Sequence, residues 1–106
     1  MSLERALGIL GGLGLDRFEA EAYFFLTKEG PHRIEEIGDA LRMDKKRLYR
    51  SLKILEHKGF VTSKTINHTI FIAVPFEKII EDMIETKSRE KQRIEQTKQD
   101  LLSKHD

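Results

Sequence analysis

IEEIGDALRMDKKRLYRSLKILEHKGFV, residues 34–61, is the stretch from which the fold can be read. Ile34, Ile37 and Leu41 recur at helical spacing, which predicts a short helix with those residues inward. Arg42-Met43-Asp44 then make a three-residue turn, and Asp44 is a good N-cap for a second helix over residues 45–58. Gly59 stops that helix ahead of a strand. Within it Leu48, Leu52 and Leu55 stand at i, i+4 and i+7, which is one stripe at about 100° per residue. Lys46, Arg50, Lys53 and His57 fall within roughly 30° of the opposite direction, with Tyr49 on the flank. A leucine-anchored helix that presents lysine, arginine and tyrosine outward, just after another short helix, is the pattern of a helix-turn-helix. That motif sets its second helix in a DNA major groove.

Charge supports this assignment locally and not globally. The chain has 19 Lys+Arg against 18 Asp+Glu, so it is nearly neutral as a whole. Between residues 45 and 58, six cations (Lys45, Lys46, Arg47, Arg50, Lys53, Lys58) face one acid, Glu56. That is a local charge of +5 in a chain whose total is +1. A merely solvated helix face in so charged a protein would mix signs. Segregation of one sign is the footprint of a nucleic-acid site.

Working outward, residues 2–10 predict a helix ended by glycines at 11, 12 and 14. Asp16 and Glu19 stand in the capping-box relation and open a second helix, with Phe18, Ala22, Tyr23, Phe25 and Leu26 toward the core. Glu29-Gly30-Pro31 ends it, leaving room at His32-Arg33 for only a stub of strand. Downstream, residues 60–66 and 69–74 are rich in β-branched and aromatic side chains and predict two strands. Asn67-His68 would form a two-residue turn between them. The expected fold is therefore α+β, mainly α with a small β-hairpin: a winged helix-turn-helix followed by a long C-terminal helix that begins near Pro75. Residues 1–75 are expected to form the winged domain and residues 76–106 an extension.

The extension carries Phe76, Ile79, Ile80, Met83 and Ile84 close together, and then only Ile94, Leu101 and Leu102. A seven-residue register aligns Ile80, Lys87, Ile94 and Leu101 in one row and Phe76, Met83, Glu90 and Thr97 in another. The polar members make it a poor long coiled coil. An isolated helix is marginal in water, and so long a helix cannot all pack on one small domain. A homodimer held by Ile80, Met83, Ile84, Ile94 and Leu101, with help from the first helix, is the expectation.

Other functions find little support. Zero cysteines exclude disulfides and thiolate zinc sites. The histidines are scattered, without a carboxylate at metal-ligand spacing, and the early glycines fit neither a dinucleotide nor a phosphate-loop pattern. Neither cofactor nor metal is expected, enzymatic activity is not, and no effector ligand can be named. Apolar stretches fall short of a membrane span, and the N-terminus lacks a basic start ahead of an apolar segment, so a cytoplasmic protein is expected.

Several phrases resemble the N-terminal domain of the TrmB-type transcriptional regulators of archaea. They are Leu13-Gly14-Leu15 with Phe18-Glu19-Ala20-Glu21-Ala22-Tyr23, Glu29-Gly30-Pro31, Glu36-Ile37, Leu48-Tyr49, Leu55-Glu56, Lys58-Gly59-Phe60-Val61 and Ala73-Val74-Pro75. The likeness spans roughly residues 10–85. It implies a winged-helix regulator that binds promoter DNA, double-stranded and sequence-specifically, as a dimer. It carries DNA contact onto Lys45, Lys46, Arg47, Tyr49, Arg50 and Lys53, and a minor-groove or phosphate role onto Lys64, Asn67 and His68 of the wing. Three departures stand out. Arg42 occupies a turn position where the family often has glycine, Arg33 one where serine or threonine is common, and the wing has a single lysine. The sugar-sensing domain of larger members lies outside the resemblance, so sugar sensing is not implied. The other reading, a winged helix that docks on a partner protein in a transcription or chromosome-organising complex, calls for an exposed apolar anchor where this helix is basic.

Overall fold

Helix ends in the computed structural model, which describes residues 1–103, fall where side chains satisfy free backbone groups. Helix α1 (Leu3–Gly12) starts at Ser2, whose Oγ accepts from the Arg5 N–H at 3.2 Å. It runs slightly past the expected stop. Gly11 and Gly12 stay helical, and the chain turns only at Gly14, where φ is 96°. Helix α2 (Arg17–Glu29) opens with the expected capping box. Asp16 Oδ1 accepts from the Glu19 N–H at 2.8 Å, and Glu19 Oε1 accepts from the Asp16 N–H at 3.1 Å.

Strand β1 (His32–Arg33), helix α3 (Ile34–Leu41), helix α4 (Lys45–Lys58), strand β2 (Val61–Thr65), strand β3 (Thr69–Ala73) and helix α5 (Phe76–Ser103) follow. The helix-turn-helix is α3 and α4 and the wing is β2 and β3, so the winged-helix expectation is met. The two-residue β1 also pairs antiparallel with β3, giving the sheet order β1-β3-β2. In the centre of the sheet Phe71 stands between His32 and Ser63 and is buried.

The wing turn differs from expectation. Pairing ends at Thr65 and Thr69, whose hydroxyls lie 2.8 Å apart, so the loop is the three residues 66–68. None of them has positive φ, so the turn does not use the left-handed conformation that asparagine tolerates. Ile66 belongs to the loop and not to the strand.

The chain divides into two compact units, Met1–Pro75 and the segment from Phe76 onward. In the first, Tyr23 and Leu26 of α2, Ile37 of α3, the three leucines of α4, Phe60, Val61 and Phe71 form the core. Burial of each large apolar side chain contributes about 1.5–3 kcal/mol. Tyr23 also donates its hydroxyl to the Val74 carbonyl at 2.8 Å and meets the Phe60 ring edge-on at 5.3 Å. Burial pushes its phenol up to about 12. Phe18 and Phe25, expected in the core, are only half-buried because they lie at the edges of the α2 stripe. Ile34 and Leu41 are likewise half-buried.

In the second unit α5 runs for 28 residues, about 42 Å at 1.5 Å per residue. Its charges are mixed in sign and pair along the helix, Lys78 with Asp82 at 3.7 Å and Arg89 with Glu85. No helix among the described residues is long and apolar enough to cross a membrane.

Candidate nucleic-acid interface

Helix α4 has three working sides, set by its register. Leu48, Ser51, Leu52 and Leu55 are buried. Arg47 and Lys58 turn toward α2. The Arg47 guanidinium lies over the Phe18 ring at 4.2 Å. Lys58 Nζ donates to Glu19 Oε1 and to the Gly14 carbonyl, each at 2.9 Å. Glu19 is 3% exposed, so Lys58 is the counter-charge that makes its burial tolerable. Two cations counted in the basic stretch are thus tied to the scaffold. Arg47 remains exposed along its length, but Lys58 works as a structural clamp.

The remaining side faces solvent. Lys46 and Arg50 form no ion pair among the described residues. Lys53 sits 3.6 Å from Glu56 and 5.4 Å from the centre of the Tyr49 ring. Lys45 pairs with Glu35 of α3 at 3.1 Å. The Glu35 carboxyl is held below the usual carboxylate range, first by its own backbone N–H and then by Lys45. Glu36 is lowered chiefly by the Arg33 backbone N–H, which donates to its Oε1 at 2.9 Å. Both acids therefore have structural partners. Glu36 closes the start of α3, where Arg33 has no capping side chain.

Tyr49 is 51% exposed and lies between two open concavities. One, of about 600 Å³, is lined by Ile34, Lys45, Lys46, Tyr49 and Arg50. The other, of about 470 Å³, is also lined by Ile34 and Tyr49, and reaches Lys53, Asn67 and His68. The solvent side of α4 and the tip of the wing are therefore continuous, with Tyr49 and Ile34 as the shared wall. Sequence periodicity marks Ile34 only as a core residue, and its second role depends on the wing being folded beside it. Ser63 and Thr65 line the same concavity. Lys64 stands between them in an alternating strand and so points to the other face of the hairpin. The basic and polar candidates of the wing thus lie on different faces.

Of the residues expected at a dimer contact, Ile80 and Met83 are half-buried, whereas Ile84, Ile94 and Leu101 are exposed. Met1, Leu3 and Ile9 at the start of the chain are exposed as well. No group of three or more metal-capable side chains occurs among the described residues.

The family described as the sugar-specific transcriptional regulator TrmB matches residues 10–77. The chain belongs to that family. TrmBL2, described as an archaeal chromatin protein with a novel mode of DNA binding, superposes with a TM-score of 0.77 at 28% identity. The match covers 97% of this chain and 42% of TrmBL2. The uncharacterized protein MJ1503 of Methanocaldococcus jannaschii is 28% identical over 81 residues, 68% of this chain and 61% of its own length. The chain therefore spans less than two thirds of either relative. The transcriptional regulator Tm0710 of Thermotoga maritima shares the fold at a TM-score of 0.62 and 21% identity, over 87% of this chain and 69% of that one. The family and the fold are those of DNA-binding regulators.

Proposed function

We propose that this chain regulates transcription by binding double-stranded promoter DNA in a sequence-dependent way, as a homodimer, and that it catalyses no reaction. The observation that carries the reading is the solvent side of α4, where Lys46 and Arg50 form no ion pair among the described residues and Tyr49 leads on to the wing. In this reading α4 enters a major groove. Lys46 and Arg50 serve as the principal contacts, Lys45, Tyr49 and Lys53 flank them, and Arg47 supports from the α2 side. Asn67 and His68 approach the neighbouring backbone, with Lys64 on the outer face of the wing. The family membership and the DNA binding described for TrmBL2 support the choice of DNA as ligand. Such a protein would work in the cytoplasm, where the DNA is.

The second unit supplies the dimer in this reading, through Ile80, Met83, Ile84, Ile94 and Leu101. A twofold axis would then place two α4 helices on half-sites about 34–36 Å apart, or a multiple of that. The reading is tested by selecting bound duplexes from a random pool, followed by titrations with the Lys46→Ala/Arg50→Ala double variant. Selection is expected to return an inverted repeat. Each lost phosphate contact is expected to lower the slope of log K against log salt by about 0.9. A folded double variant with unchanged affinity would sink the assignment of α4. Sedimentation equilibrium tests the dimer separately: a monomer at tens of micromolar would remove α5 from the mechanism.

A further inference from the structure

One acid stands on the side of the molecule that would face DNA. Among the described residues lining the two concavities there, Glu35 alone is acidic. A duplex carries one negative charge per about 1.7 Å of its length, so a carboxylate on that surface opposes binding to phosphate. Stability does not account for it. The side chains of Glu35 and Lys45 are 54% and 63% exposed, and an ion pair so open to water adds little to the fold. The carboxyl stays ionised all the same, held below the usual carboxylate range first by its own backbone N–H and then by Lys45. An ionised carboxylate accepts hydrogen bonds and cannot donate them.

Resting on the DNA-binding reading above, we propose that Glu35 and Lys45 together read one C·G base pair in the major groove. The carboxylate accepts from the cytosine N4 amino group, and the ammonium donates to O6 of the paired guanine. Position is the first argument. Lys45 is the first residue of α4, and a recognition helix contacts base edges with its N-terminal residues. Spacing is the second. Glu35 Oε1 and Lys45 Nζ lie 3.1 Å apart. Cytosine N4 and guanine O6 share a hydrogen bond, so the donor and acceptor they show to the groove are about 2.9–3.0 Å apart. The protein thus offers an acceptor and a donor at the separation at which the base pair offers a donor and an acceptor. Exclusion of the other base pairs is the third. A reversed G·C pair sets O6 against the carboxylate and N4 against the ammonium, acceptor on acceptor and donor on donor. An A·T pair keeps the amino and keto groups in order. It puts adenine N7 on the carboxylate side, however, and a thymine methyl where guanine offers N7 to the ammonium. An acid that weakens binding to every phosphate and is compensated only at the right base pair produces selectivity through repulsion.

The test starts from a duplex that the full-length wild type selects from a random pool. Wild type, Glu35→Gln and Lys45→Ala are titrated onto that duplex and onto a set in which each base pair is changed in turn, with thermal melts to confirm folding. Glutamine keeps the size of the side chain and adds an amide donor, so it tolerates either edge of the pair. Wild type is expected to lose about ten- to a hundredfold in affinity when one particular C·G pair is reversed. Glu35→Gln is expected to shrink that loss to within about threefold, with the losses at other positions unchanged. It is also expected to bind unrelated duplex more tightly than wild type does, since Lys45 is then free for phosphate. Lys45→Ala is expected to shrink the loss at the same base pair. An unaltered pattern of losses in Glu35→Gln, or an equal change on every duplex, overturns the inference and leaves the DNA reading standing. Relaxation at different base pairs in the two variants, or a wild type indifferent to every C·G reversal, overturns it too. A wild type that binds no duplex at all overturns the DNA reading itself.

Discussion

On the α2 side of α4, Arg47 covers the Phe18 ring and Lys58 holds a buried carboxylate and a backbone carbonyl. On the solvent side, Lys46 and Arg50, the same kinds of side chain on the same helix, form no ion pair among the described residues. A cation with an intramolecular partner has already exchanged its water for protein, so its replacement registers as lost stability. A cation without one is free to exchange water and counterions for phosphate, so its replacement registers as lost affinity. Counting charges along a helix merges the two populations, whereas the contacts of each head group separate them.

The widest separation is expected between Leu52 and Arg50, two positions apart. Leu52→Ala removes a fully buried side chain from between Leu48 and Leu55 and is expected to cost on the order of 2–5 kcal/mol in urea unfolding. Arg50→Ala is expected to stay within about 0.5 kcal/mol of wild type. Equal costs would mean that the helix is rotated from the position described.

Glu19→Ala probes the tied side directly. It strands Lys58 and removes one half of the α2 capping box, so about 2–3 kcal/mol is expected, discounted because Lys58 is itself about a third exposed. Affinity for duplex well below the melting temperature is expected to be unchanged. A folded Glu19→Ala protein with weakened DNA binding would blur the division between the two sides.

Alkaline pH probes the interior through Tyr23. The Tyr23 phenol is raised from 10.0 to about 12, so the neutral form is favoured in the folded state. The stability linked to it is complete below pH 10 and is lost as pH rises toward 12, because the unfolded chain releases the proton first. Melting temperature is expected to fall over that interval by up to one proton's worth of slope. Tyr23→Phe is expected to flatten this part of the profile while losing the bond to the Val74 carbonyl. An identical slope in the variant would assign the alkaline loss elsewhere.

The smallest effect distinguishes Arg47 from Lys46. Arg47→Ala gives up its stacking on Phe18 and is expected to cost about 0.5–1 kcal/mol of stability. Lys46→Ala is expected to cost less stability and more affinity. The reverse ranking would place the solvent side of α4 nearer to Arg47.

Much of this was legible in the sequence where the governing interactions are local. The Asp16–Glu19 box, the Asp44 cap with its bond to the Arg47 N–H, and the left-handed Gly59 at φ 85° each depend on residues within three positions or on one backbone angle. The leucine stripe was legible because the helical period alone fixes it. Contacts between distant residues were not. Nothing near Lys58 announces Glu19, 39 residues away, and nothing near Ile34 announces that the wing will make it part of a groove wall. The hairpin loop was misread because Asn67 is a residue that permits a tight turn without requiring one. The Thr65–Thr69 pair set the register instead.

The Lys58 clamp also has a bearing on the order of folding. Its bond to the Gly14 carbonyl joins positions 44 apart, so it closes a loop that contains α2, β1, α3 and α4. Such a closure is entropically costly until the intervening elements are in place, and it belongs to the slow, non-local part of assembly. Before it forms, Lys58 is one more loose cation on a chain already basic between residues 45 and 58. Nascent or partly opened molecules would then be stickier toward polyanions, and less discriminating among them, than the finished domain. Completing the core would thus also withdraw charge from the surface.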